Sequence, residues 1–357
     1  MTPEEFEVEE ARDFEWPSTG VAAASDPVFR GWTGVVNSIA RKCYDCPCLG
    51  LVEPIPLAVS DIFMADANKK QSKREIFFRR SGSTVFLWLI IGLAIAFQNI
   101  WLFFAMIALL GMSAFVEVLR MLPGKENDGK FHLVSIGIAG AYFGATFWYV
   151  YKSRSPDFFH IDGMALFAAI FALFCVSLTR KPAGPGAMWS VAGPFLALVY
   201  IPLLFSYVTR LLVISEDGVS SGAFYVLFLL VVTKFTDMGA YCTGSLIGKH
   251  KMIPHISPGK TWEGFGGAMI VALVAGHCQL ALLGHHTPLL NSVNVTVISL
   301  VLALTAVLGD LAESVIKRAL SADDSGQVLP GIGGSLDLID SVLFTAPLLY
   351  FILHYLS

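Results

Sequence analysis

Nine apolar runs, each close to the length needed to cross a hydrocarbon core, constrain this chain more than any other feature. A helix needs about 20 residues to span a bilayer. Such runs fall at roughly 84–98, 100–121, 132–151, 162–179, 187–209, 222–241, 265–284, 291–311 and 338–356, the first two separated only by Gln98 and Asn99. Reading them as core helices of a soluble protein would require an unusually large apolar core, since 55% of the residues are hydrophobic and only 15% are charged. The sequence therefore predicts an all-α, polytopic integral membrane protein with about nine transmembrane helices.

Orientation follows from Lys and Arg in the short loops, which accumulate on the cytoplasmic side. Lys69, Lys70, Lys73, Arg74, Arg79 and Arg80 precede the first run. With that end inside, Lys125 and Lys130, Arg180 and Lys181, Lys249, Lys251 and Lys260, and Lys317 and Arg318 all fall in cytoplasmic loops. The alternate loops carry SEDG at 215–218 and GHHTPLLN at 284–291. This predicts a cytoplasmic N-terminus and an external C-terminus in a bacterial inner membrane or its equivalent, with Lys152, Arg154 and Arg210 running against the rule. The net charge of −4, with no basic surface interleaved with aromatics, gives no reason to expect a nucleic-acid partner.

Two domains are expected: a cytosolic, partly disordered segment over 1–80 and a transmembrane domain over 81–357. The acidic stretch EEFEVEEARDFE at 4–15 has no sustained apolar period, which argues for a disordered leader rather than a cleaved signal peptide. Cys43, Cys46 and Cys48 have the spacing of metal-binding thiols but lack a second ligand pair nearby, so unpaired or acylated thiols beside the membrane are favoured. Cys175, Cys242 and Cys278 read as packing residues within spans.

Ionisable groups at membrane depth are expensive and usually face a cavity or a partner, and here they cluster late in the chain. Lys234, Asp237 and Tyr241 share one helical face at the end of the sixth run, where a structural Lys234–Asp237 ion pair is the simplest reading. The loop SPGKTWEGFGG, 257–267, follows, with glycines that let backbone amides approach a phosphate and with Lys260 as a cation, although a plain interhelical turn would look similar. The eighth run ends in GDLAESVIKR, 309–318, placing Asp310, Ser314 and Lys317 or Arg318 on one stripe with Glu313 one step round. Asp337 and Asp340, three apart, begin the ninth run after the turn PGIGG. Carboxylates gathered at one membrane face repel one another unless a cation neutralises them. Oxygen ligands without His or Cys favour Mg2+, which commonly keeps water and substrate phosphates in its remaining positions. The expected chemistry is metal-assisted phosphate transfer in a cytoplasmic-face active site.

GDLAESVIKR, the Asp323–Asp324 pair and PGIGGSLDLIDS together resemble the C-terminal signature of the phosphatidate cytidylyltransferases, or CDP-diacylglycerol synthases. SPGKTWEGFGG and the preceding D-x-x-A-Y-x-x-G-x-x-x-G-K-H resemble that family's upstream motifs, so the likeness covers about residues 230–345. It implies an enzyme that joins CTP to phosphatidic acid in the membrane, with Mg2+ as cofactor, giving CDP-diacylglycerol and pyrophosphate; a homodimer is compatible with it. Matched position by position, it implies metal ligation by Asp310, Asp337 and Asp340. Catalytic roles would fall to Lys260, Ser314, Lys317, Arg318 and Asp324, and substrate contacts to Asp237, Tyr241, Ser257, Thr261, Glu263, Gly333 and Gly334. Three positions depart: the family usually has Lys where Asp323 stands, His in place of Ile332 and Arg in place of Leu338. Each change removes a basic or titratable group from a polyphosphate site. The alternatives are a relative acting on another lipid phosphate and a catalytically impaired member that binds nucleotide or lipid in a regulatory role. A transporter fits the composition, but charges gathered at one membrane face rather than through the midplane count against it.

Overall fold

The computed structural model describes residues 89, 91–97, 99–122, 129–153, 155, 158–179, 186–214, 219–320 and 334–356. The predicted domain boundary near residue 80, the Cys43–Cys48 run, Asp323, Asp324, Ile332 and Gly333 lie outside the described residues.

The described chain is almost entirely helical. It comprises α1 (Ile100–Met121), α2 (Gly129–Ser153), α3 (Phe159–Leu178), α4 (Gly186–Leu198), α5 (Tyr207–Leu211), α6 (Val219–Ile247), α7 (Trp262–Leu283), α8 (Ser292–Ala319) and α9 (Ser335–Leu356). A π-helical turn, Val199–Leu203, joins α4 to α5 and contains Pro202, which cannot donate the backbone bond a regular helix requires. By length and composition, eight segments of the described residues can cross a membrane, with α4, the π turn and α5 together forming one. These match eight of the nine expected runs. Of the first run, only residue 89 and the helical stretch 91–97 are described.

In lipid a helix satisfies its own backbone, and helices associate chiefly through close packing. Large side chains on α1 and α3, including Leu109 and Phe167, are therefore exposed outward, while Phe103, Phe115, Phe143, Leu229 and Leu349 form one continuous core. Small residues set the closest approach: a Cβ on Gly267 of α7 would lie 2.1 Å from Thr243 Oγ1 of α6, so a side chain there would force these helices apart. Thr233 Oγ1 of α6 lies 3.3 Å from Thr345 Oγ1 of α9.

Arg210 runs against the loop-charge pattern because it is not a loop charge. It is fully buried, pairs with Asp162 of α3, and lies 4.1 Å from the Tyr207 ring centroid and 4.2 Å from that of Phe158. Tyr142 of α2 donates to Asp162 at 2.8 Å, so one polar cluster ties α2, α3 and α5 together. Breaking such a pair would strand a buried charge.

The all-α expectation needs one local amendment. The segment between α6 and α7, expected as a glycine-rich turn, holds an antiparallel ribbon of β1 (Lys251–Ile253) and β2 (Ser257–Thr261), with Lys251 opposite Thr261 and Ile253 opposite Ser257. Thr261 ends the ribbon in an extended conformation and caps α7, its side chain accepting from Gly264 N at 3.1 Å.

Candidate active site

The hairpin, α6, α8 and α9 bring the late polar residues together. Their meeting depends on Gly309: a Cβ there would lie 2.9 Å from the carbonyl oxygen of Asp340 and 3.1 Å from Ser341 Cα. With hydrogen in that position, α8 and α9 touch backbone to backbone, and the next residue on α8, Asp310, comes level with Asp340.

Among the described residues, Asp310, Glu313 and Asp340 each offer a carboxylate oxygen within 4.8 Å of the others. Asp310 and Glu313 share a face of α8 by their three-residue spacing. Asp340 and Glu313 are buried, at 5% and 4% exposure, so their negative charges sit where water screens them little. The donors are hard oxygens, two of the three buried, and this chemistry fits a divalent cation such as Mg2+.

Cations surround the trio. Lys260 reaches from β2 to Asp310 Oδ2 at 2.9 Å and donates to Val307 O at 3.2 Å, tying the hairpin to α8. Lys317, one turn beyond Glu313, lies 2.8 Å from Glu313 Oε1 and also binds Asp337. Asp337 accepts from Gly334 N at 3.0 Å, closing the first turn of α9. Of the three aspartates expected to hold metal, the fold brings Asp310 and Asp340 together with Glu313, while Asp337 lies beside that trio, in contact with both Lys317 and Glu313.

Asp237 joins the arrangement from α6. Its Oδ2 lies 3.4 Å from Lys234 Nζ and 3.3 Å from Ser341 Oγ. Ser341 also donates through its amide to Asp340 Oδ1 at 2.6 Å and through its hydroxyl at 3.1 Å. One serine therefore links Asp237 to the trio.

Other expected site residues serve the framework or lie outside the trio. Glu263 accepts from Lys249 N at 3.2 Å and from His250 N, and lies 2.6 Å from His250 Nδ1, so it closes the turn entering the hairpin. Thr261 is the helix cap already described. Ser257 begins β2. Tyr241 is 76% exposed. Ser314 is half-buried and Arg318 exposed, both on α8.

Glu117 went unnoticed in the sequence reading. It is 3% exposed, near the C-terminal end of α1, and its two carboxylate oxygens accept from Ser335 N at 2.8 Å and Leu336 N at 2.9 Å. These are amides of the first turn of α9, which lack partners within their own helix. A signal existed, since a lone carboxylate in an apolar run is costly unless it has a task.

Residues 78–356 match the cytidylyltransferase family. A phosphatidate cytidylyltransferase of Bacillus subtilis is 33% identical over 291 residues, covering 80% of this chain and 98% of that protein. A phosphatidate cytidylyltransferase of Mycobacterium tuberculosis is 34% identical over 190 residues, 52% of this chain and 55% of that protein. An Escherichia coli protein designated uncharacterized protein YnbB is 36% identical over 170 residues, 48% of this chain and 56% of its own. The chain thus spans nearly all of the first relative and little over half of the other two.

Proposed function

Because the chain belongs to the cytidylyltransferase family, we propose that it transfers the CMP unit of CTP to phosphatidic acid, giving CDP-diacylglycerol and pyrophosphate. The observation that carries this reading is the Asp310–Glu313–Asp340 trio flanked by Lys260 and Lys317. It is a paired acidic and basic site suited to polyphosphate. The loop-charge pattern supports a cytoplasmic-face reading of this site, with CTP arriving from the cytosol and the lipid from the inner leaflet.

In the reaction a phosphomonoester oxygen of the lipid attacks the α-phosphorus of CTP as the bond to pyrophosphate breaks. An ionised phosphate needs no strong general base, so positioning and charge neutralisation dominate the barrier. Asp310, Glu313 and Asp340 would hold Mg2+, which when bound supplies charge neutralisation between the two anionic substrates. Lys260, on the mobile end of a long side chain, can turn from Asp310 toward a phosphate oxygen. Lys317 stays anchored by Glu313 and Asp337 and presents a fixed positive charge to the leaving pyrophosphate. Ser341 orients Asp340 through its amide and hydroxyl.

The test is purified full-length protein in detergent with CTP, phosphatidic acid and Mg2+, scored for CDP-diacylglycerol. Lipid product that disappears with EDTA and returns with Mg2+ supports the reading. No product from phosphatidic acid, with product from another lipid phosphate in a panel of acceptors, would replace the substrate and keep the reaction class.

A further inference from the structure

An apolar cavity of about 340 Å³ lies between α1, α5, α6 and α9, with Leu110, Leu230, Leu338 and Val342 in its wall. That volume is near the lower end of the range for small-molecule sites, about 300–1,000 Å³, and suits one hydrocarbon chain. Lys234 is the only charged side chain in its lining among the described residues. A cation at membrane depth facing an apolar space is costly without an anionic partner. Its contact with Asp237, at 3.4 Å, is long for a charge-assisted bond, which normally measures about 2.7–2.9 Å.

Side-chain contacts lead from the cavity wall to the site. Lys234 meets Asp237, Asp237 meets Ser341 at 3.3 Å, and Ser341 meets Asp340 of the carboxylate trio at 3.1 Å. A molecule with a hydrocarbon tail in the cavity and an anionic head at Lys234 would hold that head beside the trio. A wholly apolar lipid would gain nothing from the lysine, and a water-soluble phosphate would gain nothing from the cavity.

We propose that this cavity is the acyl-chain site for the lipid phosphate and that Lys234 binds its phosphate head. The proposal rests on the lipid-phosphate reading above and adds the place and the residue. It also bears on Leu338, where the resembling family usually has Arg. Leu338 and Lys234 line the same cavity, so the cation that α9 lacks is supplied across the space by α6.

The experiment uses full-length protein in phosphatidylcholine nanodiscs, without CTP. The probe is phosphatidic acid carrying a diazirine at the end of one acyl chain, compared with the diacylglycerol of the same chains. Adducts of the phosphatidic acid probe should map to the cavity walls on α1, α6 and α9 and be competed by unlabelled dioleoyl phosphatidic acid. Leu230→Trp, which fills the cavity, should lower their yield at least about fivefold. Lys234→Ala should raise the competitor concentration needed about tenfold, and Lys234→Arg should restore it, which separates lost charge from lost fold. Adducts elsewhere, or equal labelling by the diacylglycerol probe in both native and Lys234→Ala protein, would overturn the proposal and mark a bulk-lipid crevice. Since labelling needs no turnover, mapped adducts without CDP-diacylglycerol synthesis would sink the proposed reaction and leave the cavity assignment standing. Synthesis with labelling unaffected by Leu230→Trp would do the reverse.

Discussion

The carboxylate of Glu117 in α1 and the amide of Ser335 at the start of α9 are joined at 2.8 Å across 218 residues of sequence. This contact, with its twin to Leu336, fixes where α9 begins and therefore where Asp340 points. Glu117→Ala leaves two amides without their acceptors, at about 1–3 kcal/mol for each one left unsatisfied, whereas Glu117→Gln keeps one acceptor oxygen. The expected outcome is a lower unfolding temperature for both variants, larger for Ala. The Mg2+ concentration needed for half-maximal turnover should also rise in the Gln variant, read from a Mg2+ titration. A variant that loses stability with an unchanged Mg2+ requirement would reduce Glu117 to a structural cap.

The trio makes a ranking. Asp310→Asn, Glu313→Gln and Asp340→Asn should each lower turnover by about two orders of magnitude or more, equivalent to roughly 3 kcal/mol of transition-state stabilisation. Asp337→Asn should cost less, because its carboxylate holds Lys317 rather than joining the trio. Steady-state rates for the four variants decide it. If Asp337→Asn is the most damaging and Glu313→Gln is near normal, the metal ligands are the three aspartates and the trio is a by-product of helix packing.

Gly309→Ala tests the contact that brings the acids together. Its Cβ would meet backbone atoms of α9, with the Asp340 oxygen at 2.9 Å, so no side-chain rotation relieves the overlap. Overpacking of this kind costs about 1–3 kcal/mol, and the helices should separate by a few tenths of an ångström or more. Activity should fall further than thermal stability alone predicts. A fully active Gly309→Ala protein would show that the site tolerates a looser α8–α9 seam.

Topology is checked by labelling. In a background with all six native cysteines replaced, a cysteine placed at Lys251 in β1 should react with an impermeant maleimide only from the cytoplasmic side. One at His285, beyond α7, should react only from outside. Reversed labelling would remove the hairpin and Lys260 from the compartment that holds CTP.

Hydropathy alone determined the membrane-spanning, helical character of this chain, because an apolar run of about 20 residues satisfies its backbone in lipid only by coiling on itself. Motif order alone led to the family, and Asp310, Lys260 and Asp340 were visible as chemistry-bearing residues before any fold was known. Glu313 was visible beside the Asp310 stripe, but not as the third member of the trio. Asp337 and Glu313 both lie within one helical turn of a partner in the trio, so periodicity could not choose between them. The packing of α9 on α8 decides which carboxylates converge: the close approach at Gly309 brings Asp340 to Asp310 and Glu313, while Asp337 lies beside Glu313 and shares Lys317 with it. Glu117 and the cavity beside Lys234 belong still more fully to tertiary structure, since each is assembled from helices far apart in the chain. Spacing along one helix reports which residues share a face; only the packing of one helix on another decides what that face meets.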